Sequence, residues 1–204
     1  QVAAVAGEDR GEVAPLEGAD DALARLDQAE IELEDLVDEI GLLMRRYMHE
    51  FGATRDHLAN VALAFRKHAN NNPYALFSNV LSLEEIMASP EVFDPLTRYQ
   101  CCPPTCGAAA AIVCSADFAK KHKLDMRVVI AAQAMTTDTP STFETNDMRR
   151  VVGYDMTANA AKQVYEAAGI GPEDLDVVEL HDCFTANELI TYEGLGLTPE
   201  GTAE

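Results

Sequence analysis

The residues best suited to chemistry in this chain are His181 and Cys183, an imidazole and a thiol two positions apart in the run His181-Asp182-Cys183-Phe184. An imidazole can donate a hydrogen bond or carry a proton, and a thiol can serve as nucleophile or as acid and base. The flanking residues suit them to such work. Val177-Val178-Glu179-Leu180 leads in as a strand, and a helix signal follows, with Thr185 and Glu188 spaced as a T-x-x-E capping box and Gly196 at the helix stop. Both groups therefore fall on a turn between a strand and a helix, the place beyond the carboxyl ends of strands where α/β folds build sites. A helix N-terminus directly after Cys183 favours its thiolate form. An isolated H-x-C is more simply a buried cysteine beside a surface histidine. Position and flanks move this one toward chemistry.

The rest of the chain must supply the elements that hold this turn. Gln1 to Gly18 is acidic and punctuated by Pro and Gly, and is expected to be poorly ordered. From Asp20 a 3-4-3-4 stripe of Leu26, Ala29, Leu33, Leu36, Ile40 and Leu43 predicts an amphipathic helix lying on the domain, in preference to a coiled-coil partner site. A second helix is predicted over 54–69, stopped by Asn70-Asn71-Asn72-Pro73. Ser82 and Glu85 form a capping box for a short helix to Ala88. Buried strands are predicted over 108–114, 127–135 and 176–180, with helices over 116–122 and 156–168, the latter ended by Gly169. A helical stretch followed by alternating strands and helices is an α/β pattern.

Composition narrows the function classes. The 204 residues, 48% of them hydrophobic, suffice for one large domain or two small ones. A net charge of −20 excludes a nucleic-acid partner, which needs a basic surface. Residues 1–43 hold 13 acidic residues against 2 arginines, so much of that charge lies at one end. No apolar run reaches the roughly 18–20 residues of a membrane span, and no signal peptide is recognisable. Membrane association is not expected. The five cysteines lack the spacing of a disulfide framework or a zinc site, so no metal is expected and the thiols read as reduced and mostly buried, with Cys114 in the core.

Several longer strings belong together. Asn71-Asn72-Pro73-Tyr74, the run Ala88 to Thr97 (ASPEVFDPLT), Gln100-Cys101-Cys102-Pro103, Gly107 to Ile112 (GAAAAI), Met135-Thr136-Thr137-Asp138, Ser141-Thr142-Phe143-Glu144, Val152 to Met156 (VGYDM) and Val177 to Gly201 follow one another in fixed order. In this order they resemble the sterol-carrier-protein-type thiolases of the thiolase superfamily, over about residues 40–201. The resemblance implies an α/β, thiolase-like fold, present in part: residues 1–18 an acidic segment, 19–95 a helical insert like the family's loop domain, and 96–204 a portion of the core carrying the HDCF motif. It implies the catalytic pair His181 and Cys183, the histidine binding the thioester oxygen and the cysteine moving a proton as acid and base. Asp182 reads as a local hydrogen-bonding residue.

The implied activity is that of an acyl-CoA thiolase, cleaving 3-ketoacyl-CoA with coenzyme A through a cysteine thioester in fatty-acid or sterol side-chain breakdown. The family's nucleophilic cysteine and its G-H-P motif are not found in these 204 residues, so the chain is expected to correspond to a middle portion and to be inactive alone. Cys101 and Cys102 stand elsewhere in the pattern and are not assigned as nucleophile, and Cys106 departs from the Asp common there. No cofactor is expected to be permanently bound, with coenzyme A and acyl-CoA as substrates. Arg45, Arg46, Arg66, Lys67 and His68 stand as candidate phosphate contacts beside the simpler reading of solvated helix-face charges, and no cofactor-binding residue is assigned. A homodimer or homotetramer and a cytoplasmic location are implied. Two alternatives remain: a non-catalytic thiolase-like subunit binding acyl-CoA, lipid or a protein partner, and a retro-aldolase of steroid side-chain degradation. Relatives of that last kind carry a Tyr-Asp-His-Phe-like sequence where this chain has HDCF.

Overall fold

Helix α1, residues 37–51, buries Ile40, Leu43, Met44 and Tyr47 at helical spacing and turns Arg45 and Arg46 outward. The computed structural model describes residues 37–103 and 107–203. Of the expected apolar stripe, Ile40 and Leu43 are therefore described and buried. Leu26, Ala29, Leu33 and Leu36, like the segment 1–18, lie outside the described residues. At Gly41 an added Cβ would overlap the Phe93 ring, so this position admits no side chain without moving that ring.

Helix α2 (Arg55–Ala69) starts at Thr54, whose hydroxyl accepts from the His57 N–H while the His57 ring accepts in return, and it stops at Asn70 ahead of Pro73. Helix α3 (Leu83–Met87) forms the expected box: Glu85 N–H donates to Ser82 Oγ at 3.1 Å, and Ser82 N–H to Glu85 Oε2 at 2.8 Å. A hairpin of β1 (Glu91–Phe93) and β2 (Leu96–Thr97) follows, turning through a cis Asp94–Pro95 bond. Arg55 pairs with Asp94 and Glu91 and ties the hairpin to α2.

Beyond the hairpin come α4 (Ala116–His122), capped by Ser115, then the short α5 (Ser141–Glu144) and α6 (Met148–Val151). Helix α7 (Tyr154–Ala168) ends on left-handed Gly169, as its sequence requires. Helix α8 (Thr185–Gly194) ends with Leu195 and left-handed Gly196. The core lies where α1, α2 and α8 meet: Ile40, Met44, Tyr47, Leu58, Leu96, Phe184 and Leu189 pack as one cluster. Burying each such side chain contributes roughly 1.5–3 kcal/mol relative to exposure. Inside it the Tyr47 hydroxyl donates to Glu193 of α8, whose carboxylate also accepts from Gly201 N–H at 2.8 Å.

The three buried strands expected over 108–114, 127–135 and 176–180 are not formed. Among the described residues the one sheet is the β1–β2 hairpin, and these segments join no ladder. Their apolar side chains stand in solvent: Ile112 is fully exposed, and Val129, Ile130, Met135 and Val177 are mostly so. Cys114, expected in the core, is exposed with them. A strand is stabilised by the partner whose N–H and C=O groups complete its own, and β-branched composition without a partner does not make one.

Candidate functional site around the HDCF motif

The motif sits at the start of α8, and the backbone around it is pinned from two sides. Phe184, 1% exposed, is the N-cap residue and forms an antiparallel bridge with Cys101. Cys102 N–H donates to the Cys183 carbonyl at 2.8 Å, and Asn187 Nδ2 donates to the His181 carbonyl at 2.8 Å. The helix thus begins one residue earlier than the T-x-x-E spacing implied. Thr185 is inside the helix with its hydroxyl buried and unpartnered, and Glu188 accepts a hydrogen bond from Tyr192 one turn on. Burial of Phe184 in the core decides this register, because moving the cap to Thr185 would displace an aromatic ring from a packed site.

His181 and Cys183 flank the same turn, His181 exposed and Cys183 half-buried. The Cys183 thiol does not lean toward thiolate as its place before a helix suggested. Burial pushes its pKa above the usual 9.0, and the neighbouring Cys102 adds to this, while the Phe184 N–H pulls the other way. Desolvation of the charged form outweighs the helix end here. Cys101 is pushed up to about 11, first by burial, then by Cys102 and Cys183; its thiol donates to Thr97 O at 3.5 Å. Cys101, Cys102 and Cys183 therefore form a group of free thiols about the motif. Cys102 is exposed and Cys101 half-buried, so the expectation of mostly buried thiols does not hold.

A group of acids adjoins the thiols. Burial raises the Asp182 carboxyl above its usual range, with His181 acting against this and Glu179 with it. Burial likewise raises Glu188, opposed by the Tyr192 hydroxyl. The Tyr192 phenol is raised by burial and then by Glu188. Asp182 and Cys102 line a cavity of about 330 Å3 that reaches under the end of α2, where Arg66, Phe77 and Gln100 close it. A larger cavity, about 540 Å3, runs along α7 past Thr136 and Val177, and neither it nor the smaller one is lined by His181 or Cys183. Sequence reasoning assigned no chemistry to Cys101, Cys102 or Glu188. Gln100-Cys101-Cys102-Pro103 was a visible motif, but its approach to a turn some eighty residues later depends on the packing of Phe184.

Residues 137–204 match the family described as thiolase C-terminal domain-like. The chain is 52% identical over 158 residues to sterol carrier protein 2 of Rattus norvegicus, covering 77% of this chain and 29% of that protein. To the benzoylsuccinyl-CoA thiolase subunit BbsB of Thauera aromatica it is 44% identical over 157 residues, 77% of this chain and 40% of that one. The chain belongs to the thiolase superfamily. A solved Ltp2-ChsH2(DUF35) aldolase shares its thiolase-like fold, with a TM-score of 0.69 and 26% identity over 93% of this chain and 50% of that one. This thiolase-superfamily chain thus spans less than a third of the sterol carrier protein and two-fifths of the bacterial thiolase subunit. No helix among its described residues is long and apolar enough to cross a membrane.

Proposed function

We propose that this chain is the HDCF-bearing portion of an acyl-CoA thiolase that cleaves 3-ketoacyl-CoA with coenzyme A. The observation that carries this reading is the Cys183 thiol, held on a turn pinned to Cys101–Cys102, with its pKa raised by burial from the ordinary 9.0. A protonated thiol at that place suits the proton donor of carbon–carbon cleavage. In this reaction a nucleophilic thiolate adds to the C3 carbonyl of the substrate. The C2–C3 bond then breaks, its electron pair passes to C2, and the acyl group remains on the nucleophile as a thioester. The Cys183 S–H gives its proton to C2, releasing acetyl-CoA, and its thiolate takes a proton back from the incoming coenzyme A thiol. That thiol then displaces the acyl group from the nucleophile. An N–H of His181 donates to the thioester oxygen, where charge gathers as C2 becomes carbanion-like. The nucleophile in this reading is none of Cys101, Cys102 and Cys114; it comes from outside the segments described above. A homo-oligomer, a cytoplasmic setting and a role in fatty-acid or sterol side-chain breakdown complete the proposal.

The test is coenzyme-A-dependent thiolysis of 3-ketooctanoyl-CoA by the full gene product. Removing a positioned acid–base group costs about 100–10,000-fold in rate, so Cys183→Ala is expected to lower kcat by that much, and His181→Ala by about 100–1,000-fold. Activity within a few-fold of the parent in the Cys183 variant overturns the assignment. A second reading, a retro-aldolase, is favoured by the aldolase of like fold. Against it stand His181 and Cys183, whose places differ from the Tyr-Asp-His-Phe-like sequence of such enzymes. Cleavage of a 3-hydroxyacyl-CoA without coenzyme A consumption would select it.

A further inference from the structure

The Cys101–Cys102 stretch and the motif meet as two extended segments of backbone. Cys101 (φ −114°, ψ 144°) and Phe184 (φ −141°, ψ 147°) form an antiparallel bridge, and the Cys102 N–H donates to the Cys183 carbonyl at 2.8 Å. In an antiparallel pair the residue after one partner faces the residue before the other, so Cys102 stands directly opposite Cys183. Opposed side chains leave one face of such a pair, and consecutive ones leave opposite faces. Cys102 and Cys183 therefore share a face, while Cys101 and Phe184 share the other. Burial agrees with this register. Phe184 is in the core, and the half-buried Cys101 donates its S–H to Thr97 O at 3.5 Å, whereas Cys102 is exposed.

A hydrogen-bonded antiparallel pair holds its Cα atoms roughly 5.5 Å apart. That lies inside the roughly 4.4–6.8 Å that a disulfide spans, and cysteines on one face also direct their Cβ atoms to a common place. The adjacent Cys101 and Cys102, on opposite faces, do not. Cys102 and Cys183 are both free thiols. We propose that Cys102 and Cys183 close into a reversible disulfide, by exchange with a low-molecular-weight disulfide such as oxidised glutathione, and that this bond withdraws the thiol that moves the proton. The proposal rests on the acid–base reading of Cys183 given above. Cys102, the exposed member, reacts first: its thiolate attacks one sulfur of the incoming disulfide, the S–S bond breaks, and one glutathione thiolate leaves with the electron pair. The half-buried Cys183 then loses its proton and attacks the Cys102 sulfur, expelling the second glutathione thiolate. Two protein thiols are oxidised and one glutathione disulfide is reduced. The two protons lost by the cysteines end on the two glutathione thiols.

The experiment treats the full gene product with oxidised glutathione, alkylates the remaining thiols and maps disulfide-linked peptides by mass spectrometry. Thiolysis of 3-ketooctanoyl-CoA is measured on the same samples. The expected result is a Cys102–Cys183 cross-link in most of the chains and a fall in thiolysis of about tenfold or more, both reversed by dithiothreitol. Cys102→Ser is expected to abolish the cross-link to Cys183, and Cys101→Ser to leave it in place. The map of the unsubstituted protein reads the pair whether or not the variants fold. Cys183 left unlinked, or linked to any other cysteine, overturns the pair and leaves the acyl-CoA reading standing. Thiolysis that survives complete cross-linking overturns the switch by removing the acid–base role of Cys183 itself.

Discussion

The helices that meet at Phe184 and the segments between Gly107 and Leu180 differ in what completes them. In the first region α1, α2 and α8 bury Met44, Leu58, Phe184 and Leu189 against one another, and the backbone of the motif is bridged to Cys101. In the second, α4 is capped by Ser115 and α7 stops on Gly169, yet Ile112, Val129, Ile130 and Val177 stand exposed and their segments have no ladder. The chemistry-bearing turn belongs to the first region. Its geometry therefore depends on the helical core and not on the strand expected to lead into it.

The largest effect that could break this contrast is on stability. Phe184→Ala is expected to destabilise the chain by about 3–5 kcal/mol in urea denaturation, because a buried ring is lost from the shared core. Ile112→Ala, by contrast, should change stability by less than about 0.5 kcal/mol. Comparable losses in both would mean that the second region is packed in solution.

A smaller effect comes from the buried link between α1 and α8. Tyr47→Phe removes a donor from the buried Glu193 carboxylate, leaving Gly201 N–H on one oxygen and nothing on Oε2, and should cost about 1–3 kcal/mol by the same measurement.

Titration of the thiols sharpens the contrast further. Folding raises Cys101 from its ordinary 9.0 to about 11, so between these values the folded chain binds more protons than the unfolded one. The associated stability is fully present below pH 9 and is lost as pH rises toward 11, amounting to about 1–2 kcal/mol after allowance for partial exposure. Cys101→Ala should flatten that slope in denaturation curves taken between pH 8 and 11. The mildest expected effect is on dye binding: Val129→Ser with Ile130→Ser should lower fluorescence of a bound hydrophobic probe while leaving the melting temperature within about 1–2 °C.

Elements specified by neighbours in sequence were legible. The helices over 54–69 and 116–122, the Ser82–Glu85 box at α3 and the stop at Gly169 after α7 all rest on interactions within a turn or two of chain. The strands were not, because a run such as Val128-Val129-Ile130 states a preference that a partner strand must satisfy. Within the site, the positions of His181 and Cys183 on a turn before a helix were readable. The state of the thiol was not: a helix end argues for thiolate, and the burial that outweighs it comes from residues far away in sequence. Thr185 and Glu188 show a local rule overridden in the same way, since the cap belongs to Phe184 once its ring is in the core.

The most direct test of the proton-donor role is deuterium incorporation at C2 of acetyl-CoA in D2O, followed by proton NMR with the full gene product. Exchange is expected to climb with pH through and beyond 9.0, as the raised Cys183 thiol ionises, and to fall by about 100-fold or more in Cys183→Ala. Exchange that is unchanged in that variant, or that is independent of pH across this range, would contradict a role for Cys183 in moving the proton.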